Sequence, residues 1–266
     1  MSTKFGVIGG GVMGEALLSR LVVQQIYAPR EVLVSDPQPQ RRDWLTQQYG
    51  VQVTDDNQVI LSTADVVLLA IKPQVFEAVV SGLTRSRTDQ LVVSILAGVP
   101  LSKLEAAFPG QPVIRAMPNT PATVGAGMTA IAPGQHATSD HLKTAETLFQ
   151  AVGEVVQVPE SLMDAVTGLS GSGPGYVAIL IEALADGGVA AGLPRAIALQ
   201  LAIQTVRGTA ELVQQSNLHP AVLKDQVTSP GGTTIAGIAQ LEEHGFRAAL
   251  IAAVRAAAQR SEELGN

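Results

Sequence analysis

At 266 residues the chain can bury one large or two moderate cores, and a formal charge of -6 with 3% aromatic residues excludes a nucleic-acid surface, which needs clustered Lys and Arg with stacking platforms. There is no cysteine, which excludes disulfides, thiolate catalysis and Cys-ligated zinc or iron–sulfur clusters. A small-molecule partner and a cytoplasmic location are the expectations.

After Lys4 the chain supplies one apolar strand and then glycines, without the longer apolar core and cleavage region of a signal peptide. From there to about Pro159, short β-branched runs alternate with segments of helical period. KFGVI, EVLVS, DVVLLAI, LVVSIL, VIRAM and later VVQV read as strands. Continuous apolar strands between helices imply a parallel sheet covered on both faces.

The first strand runs into GVIGGGVMGEAL, where Gly9, Gly11 and Gly14 have G-x-G-x-x-G spacing directly before an amphipathic helix. Gly9 would allow the turn, Gly11 the approach of a pyrophosphate and Gly14 the packing of helix on strand, so this opening β-α-β unit is expected to bind a dinucleotide. The second strand ends at Ser35 and Asp36, where the adenosine ribose is normally read. Asp36 could accept hydrogen bonds from a 2'-hydroxyl, favouring NADH, whereas Arg41 and Arg42 could pair with a 2'-phosphate, favouring NADPH. A third reading makes Asp36 a turn residue before Pro37 and the arginines a solvated face.

Further strand ends lie at Lys72-Pro73 and before Pro118, Asn119, Thr120 and Pro121. The carboxyl edge of such a sheet faces the cofactor crevice, so Lys72, Asn119 and Thr120 are candidates for contact there, against the alternative of ordinary loop chemistry. A composition shift near residues 158–164 ends the strand pattern. YVAILIEALADGGVAAG and PRAIALQLAIQTVRGTAELVQQ follow as long, Ala-rich helices, with Gly192 placed to stop one and Pro194 to start the next. Glu182 and Asp186 break the most apolar stretch, so no membrane span is expected. Helices this apolar need cover on more than one side, from a second copy or from burial within the monomer; dimerisation is the expectation. The domains predicted are 1–160, binding the dinucleotide, and 161–266, helical.

SPGGTTIAG, residues 229–237, reads as a turn entering a helix. Its resources are backbone N–H groups, a helix dipole and hydroxyls, which suit a small anion. The four histidines are scattered without ligand spacing, so no metal is expected.

GVIGGGVMGEAL, LLAIKPQ, SILAGV, RAMPNTPATVGAGMTAI, GLSGSGPGYV and LKDQVTSPGGTTIAGI, in this order and over almost the whole chain, resemble the pyrroline-5-carboxylate reductase family. The resemblance implies reduction of the cyclic imine 1-pyrroline-5-carboxylate to L-proline with NADPH or NADH, the last step of proline biosynthesis. It also implies the fold class, an α/β Rossmann-type, mostly parallel sheet domain followed by an all-α domain that interlocks into homodimers, sometimes assembled into decamers. Residue by residue, it makes Gly9, Gly10, Gly11, Val12 and Met13 the pyrophosphate loop and Asn57 an adenosine contact. Ala70, Lys72 and Pro73 would border the cofactor, and Met117, Pro118 and Asn119 would lie against the nicotinamide. Ser229, Gly231, Gly232 and Thr233 would hold the substrate carboxylate, with the Thr234 hydroxyl near the ring nitrogen as the catalytic candidate. The family usually prefers NADPH, but Asp36 stands where many members have a neutral residue, so the preference stays open.

A C=O reductase would ordinarily place Lys or His at the reacting centre, and neither occurs in GLSGSGPGY or SPGGTT. A pyrroline nitrogen is easily protonated, so a hydroxyl or a water can suffice. The alternative enzyme, a β-hydroxyacid dehydrogenase, would carry a lysine after its glycine cluster; here Tyr176 and Val177 follow Gly175. A nucleotide sensor without turnover would leave the SPGGTT loop unexplained.

Overall fold

The computed structural model describes residues 3–84 and 87–265. The chain divides into two compact units, Met1–Ser172 with Ala256–Asn266, and Gly173–Arg255. No helix among the described residues is long and apolar enough to cross a membrane.

In the first unit the elements are β1 (Phe5–Ile8), α1 (Val12–Val23), β2 (Val32–Ser35), α2 (Pro39–Tyr49), β3 (Gln52–Thr54), α3 (Asn57–Thr63), β4 (Val66–Leu69), α4 (Phe76–Ser81), β5 (Leu91–Ser94), α5 (Leu101–Ala107), β6 (Val113–Met117), β7 (Gly127–Pro133), α6 (Ser139–Gln150), β8 (Gly153–Gln157) and the short α7 (Met163–Val166). The strands form one sheet in the order β3-β2-β1-β4-β5-β6-β7-β8. All neighbours are parallel except β6 and β7. The chain direction across the sheet reverses between β1 and β4, which creates the crevice where doubly wound sheets bind ligands.

Every residue of β1, β2, β4 and β5 is buried, as the continuous apolar runs require. Successive side chains face opposite sides of the sheet. Phe5, Val7, Val66, Leu68 and Val93 join Leu17, Leu21 and Phe149 in one core, while Ile8, Val67, Leu69 and Val92 join Ile60, Leu104 and Phe108 in the other. The sequence-predicted strands all form, and two further ones appear. β3 is three residues long and partly exposed, and β7, GMTAIAP, carries Gly, Thr and Pro, so neither has a strong strand pattern. Residues 118–126 are too few for a parallel crossover, which needs a dozen or more residues, so β7 returns antiparallel to β6.

The second unit contains α8 (Gly173–Ala190), α9 (Arg195–Ser216), α10 (Pro220–Gln226), α11 (Thr233–Glu243) and the start of α12 (Phe246–Gly265). Its buried centre is small: Ala185, Ala198 and Ala202, with Ile181 and Val189 against them. A Cβ on Gly188 would lie 3.1 Å from the Ala198 methyl, so α8 and α9 touch almost backbone to backbone. The larger apolar side chains point outward, including Ile179 at 67% exposure and Ile251 at 60%. An apolar cleft of about 590 Å³ lies among Tyr176, Ile179, Leu184, Leu241, Phe246 and Leu250. A unit that buries alanines and exposes leucines and isoleucines presents apolar surface of the kind that marks an interaction site.

Candidate active site

β1 delivers the glycine loop to the switch point. Gly9 has φ +103°, and a Cβ there would stand 2.7 Å from the Ala70 carbonyl oxygen, so only glycine turns the chain this sharply beside β4. A Cβ on Gly14 would stand 2.4 Å from the Gly9 oxygen, which fixes the close packing of α1 on the loop. Gly11 differs: its φ of -68° is open to any residue, and a Cβ there would meet nothing within 4 Å. Neither backbone nor packing within this unit accounts for glycine at that position, whereas a pyrophosphate approaching the loop does. Gly11 is also the N-cap of α1 and no side chain caps this helix, so its first N–H groups and dipole remain for an anion. These features fit a dinucleotide.

Beside the glycine loop lie the end of β2 and the start of α3. The buried Ser35 donates its hydroxyl to Asn57 Oδ1 at 2.6 Å, which joins the end of β2 to the first turn of α3. Asp36 accepts from the Gly10 N–H at 3.1 Å and from the Gln38 N–H at 2.9 Å. The structure thus brings Gly10, Ser35, Asp36 and Asn57 together around the glycine loop.

At the carboxyl edge of β4, β5 and β6 a cleft of about 260 Å³ opens among Met13, Ala70, Ile95, Met117, Asn119 and Gly171, with Ile71, Pro118 and Thr120 completing its wall. Val12 is exposed, Lys72 is exposed, and Pro73 begins a short turn beyond the cleft wall. Ile71 and Ile95 were not singled out from the sequence; their signal is position, one residue or two beyond a fully buried strand at the carboxyl edge. Asn119 is tied into the protein: its Nδ2 donates to the Ser170 carbonyl at 3.0 Å and its Oδ1 accepts from the Met128 N–H at 2.9 Å. It therefore braces a π-helical turn, Thr167–Gly171, against the cleft. In that turn a Cβ on Gly171 would lie 2.6 Å from the Met117 methyl, so glycine keeps room for Met117 in the wall.

The 229–234 loop belongs to the helical unit. Ser229 to Gly232 form a turn in which the Gly232 N–H donates to the Ser229 carbonyl at 3.0 Å. Pro230 occupies the second position and Gly231, φ +68°, the third, the signature of a type II turn. Gly232 is the N-cap of α11, and no side chain caps this helix either. Thr233 and Thr234 are exposed at the first two helical positions, and neither side chain caps the helix. With the Gly232 N–H closing the turn, the loop offers the uncapped N–H groups at the start of α11, a helix dipole and hydroxyls without any cation, which suits a carboxylate.

The family model for pyrroline-5-carboxylate reductase dimerisation matches residues 160–264, and that for NADP oxidoreductase, coenzyme F420-dependent, matches residues 4–98. The chain is 60% identical over 265 residues to a pyrroline-5-carboxylate reductase from Synechocystis sp., covering 100% of this chain and 99% of that one. Among solved structures, a pyrroline-5-carboxylate reductase from Coxiella burnetii superimposes with a TM-score of 0.91 at 34% identity, covering 100% of both chains. A pyrroline carboxylate reductase from Plasmodium falciparum with NADP bound superimposes with a TM-score of 0.90 at 30% identity, covering 99% of this chain and 98% of that one.

Proposed function

The chain belongs to the pyrroline-5-carboxylate reductase family and is an NAD(P)H-dependent oxidoreductase that reduces 1-pyrroline-5-carboxylate to L-proline in proline biosynthesis; from that premise we propose which residues do the work. The dinucleotide, when bound, supplies the hydride. Gly9, Gly10, Gly11, Val12, Met13 and Gly14 take its pyrophosphate, with Ser35, Asp36 and Asn57 on the adenosine side. Ala70, Lys72, Pro73, Met117, Pro118 and Asn119 flank the nicotinamide, where Asn119 acts by holding the wall. The observation that carries this reading is the open space at Gly11 over an uncapped helix.

The Ser229, Gly231, Gly232 and Thr233 segment grips the substrate carboxylate through backbone N–H groups and the α11 dipole. Holding that end leaves the imine carbon in one orientation, and positioning of this kind lowers barriers by roughly 7–11 kcal/mol when geometry is near-attack. The Thr234 hydroxyl, on the same turn of α11, holds the ring nitrogen and its proton. Hydride addition to a protonated imine creates no oxyanion, so no stronger acid is needed. Thr234→Ala should lower kcat/KM at least tenfold, about 1.4 kcal/mol, with an unchanged melting temperature. Kinetics close to wild type would remove Thr234 from the site.

The protein is a homo-oligomer built on its helical unit. We take residues 1–160 as the dinucleotide domain and 161–266 as the dimerisation and substrate domain, a division supported by the family match beginning at residue 160. A homodimer is the proposed unit, supported by the exposed leucines and isoleucines of α8, α9 and α12. Five such dimers would make the decamer that the resemblance allows. Sedimentation at micromolar concentration should show two or ten chains, and a monomer would contradict the proposal. The cysteine-free composition supports a cytoplasmic location, which fractionation of the source cells tests.

A further inference from the structure

The end of β2 carries a choice between the two nicotinamide dinucleotides. We propose that this chain selects NADH over NADPH, by presenting the Asp36 carboxylate to the adenosine ribose and by committing Arg41 and Arg42 to other partners. The inference rests on the cofactor reading above and adds to it the identity of the preferred dinucleotide.

Asp36 is oriented by two backbone donors, one on each oxygen: Gly10 N–H at 3.1 Å on Oδ2 and Gln38 N–H at 2.9 Å on Oδ1. A carboxylate oxygen accepts more than one hydrogen bond, so each retains capacity for a ribose hydroxyl. The Gly10 contact holds the group against the glycine loop, where the acidic residue of an NAD site reads the 2'-hydroxyl. A 2'-phosphate has mainly acceptor oxygens at neutral pH and brings about -1.5 to -2 charges towards this anion.

The cations that could offset that charge are already paired. Arg41 donates through Nε to the Gly10 carbonyl and pairs through Nη2 with Glu15. The other Glu15 oxygen accepts from Tyr49 Oη at 2.7 Å and Trp44 Nε1 at 3.3 Å, so α1 and α2 are joined through this one carboxylate. Burial alone would raise the Glu15 pKa; the hydrogen bonds from Arg41, Tyr49 and Trp44 together bring it below its ordinary value and keep it charged. Arg42 donates through Nη1 to the Asp36 carbonyl at 2.8 Å, and its Nη2 lies 3.6 Å from Asp55. Both arginine side chains are more than three-quarters covered. The carboxylate partners of Arg41 and Arg42 are thus Glu15 and Asp55, while the Asp36 carboxylate is held by backbone N–H groups, so three carboxylates stand beside two arginines before any phosphate arrives. Turning Arg41 towards a phosphate would break two contacts and leave the partly buried Glu15 without its cation, a costly exchange.

The test is calorimetric titration of the wild-type enzyme with NADH and with NADPH, without imine. NADH should bind at least tenfold more tightly. Asp36→Ser should weaken NADH and strengthen NADPH, erasing that gap, and Glu15→Gln, which releases Arg41, should narrow it by strengthening NADPH. Equal or tighter NADPH binding by the wild type would overturn the preference and leave the dinucleotide site standing. A gap that survives Asp36→Ser would overturn the assignment to Asp36. Failure of a folded wild type to bind either dinucleotide would overturn the site itself, and the preference with it.

Discussion

Gly11→Asp should leave the protein as stable as the wild type and weaken dinucleotide binding at least a hundredfold, about 2.7 kcal/mol. Gly11 has ordinary N-cap dihedrals, φ -68° and ψ -173°, and no atom within 4 Å of a Cβ, so the variant folds without strain. Aspartate is a favoured N-cap, so α1 gains a cap it lacks. The same carboxylate then occupies the place of the pyrophosphate and repels it. Gly14→Ala provides the contrast. Its Cβ would stand 2.4 Å from the Gly9 carbonyl oxygen, and the loop must shift, so the melting temperature should fall together with binding. Thermal melts and calorimetric titration of both variants separate the two cases. Near wild-type binding by Gly11→Asp would place the pyrophosphate elsewhere.

Removing the substrate carboxylate should cost more. 1-Pyrroline, the same ring without that group, should be reduced with a kcat/KM lower by about a thousandfold, or about 4 kcal/mol. The 229–232 turn and the uncapped start of α11 supply hydrogen-bond donors for an anion, and charge-assisted hydrogen bonds contribute about 1.5–3 kcal/mol each. Two such bonds account for the loss, and it should fall on kcat as well as KM, because the carboxylate orients the imine. Steady-state kinetics on the two imines measure it. A difference below tenfold would remove the loop from substrate binding.

Much of this architecture was legible because the decisive signals are local. The unbroken apolar runs of β1, β2, β4 and β5 require cover on both faces, and the cover is found. Gly9 and Gly231 announce their turns through positive φ, a property of glycine that needs no knowledge of neighbours. β7 was not legible, since its sequence is held as a strand by β6 and β8 rather than by its own pattern. The Asn119 amide could not be assigned either, because its partners Ser170 and Met128 are set by the fold. Arg41 shows the same limit from the other side. The sequence places an arginine near the ribose position, but only the structure shows Glu15, on the helix after the glycine loop, already holding it. A glutamate in the first turn after G-x-G-x-x-G, facing an arginine soon after the second strand, is the pattern that would have signalled it.

The central claim is that this chain reduces a cyclic imine carboxylate with a nicotinamide dinucleotide. The direct measurement is the fall in near-ultraviolet absorbance of NADH and of NADPH, in parallel, when 1-pyrroline-5-carboxylate is added to the purified oligomer. Substrate-dependent oxidation with proline as the product, faster with NADH at limiting cofactor, is the predicted result. A folded oligomer that binds the dinucleotide and leaves both cofactors unoxidised in the presence of this imine would contradict it.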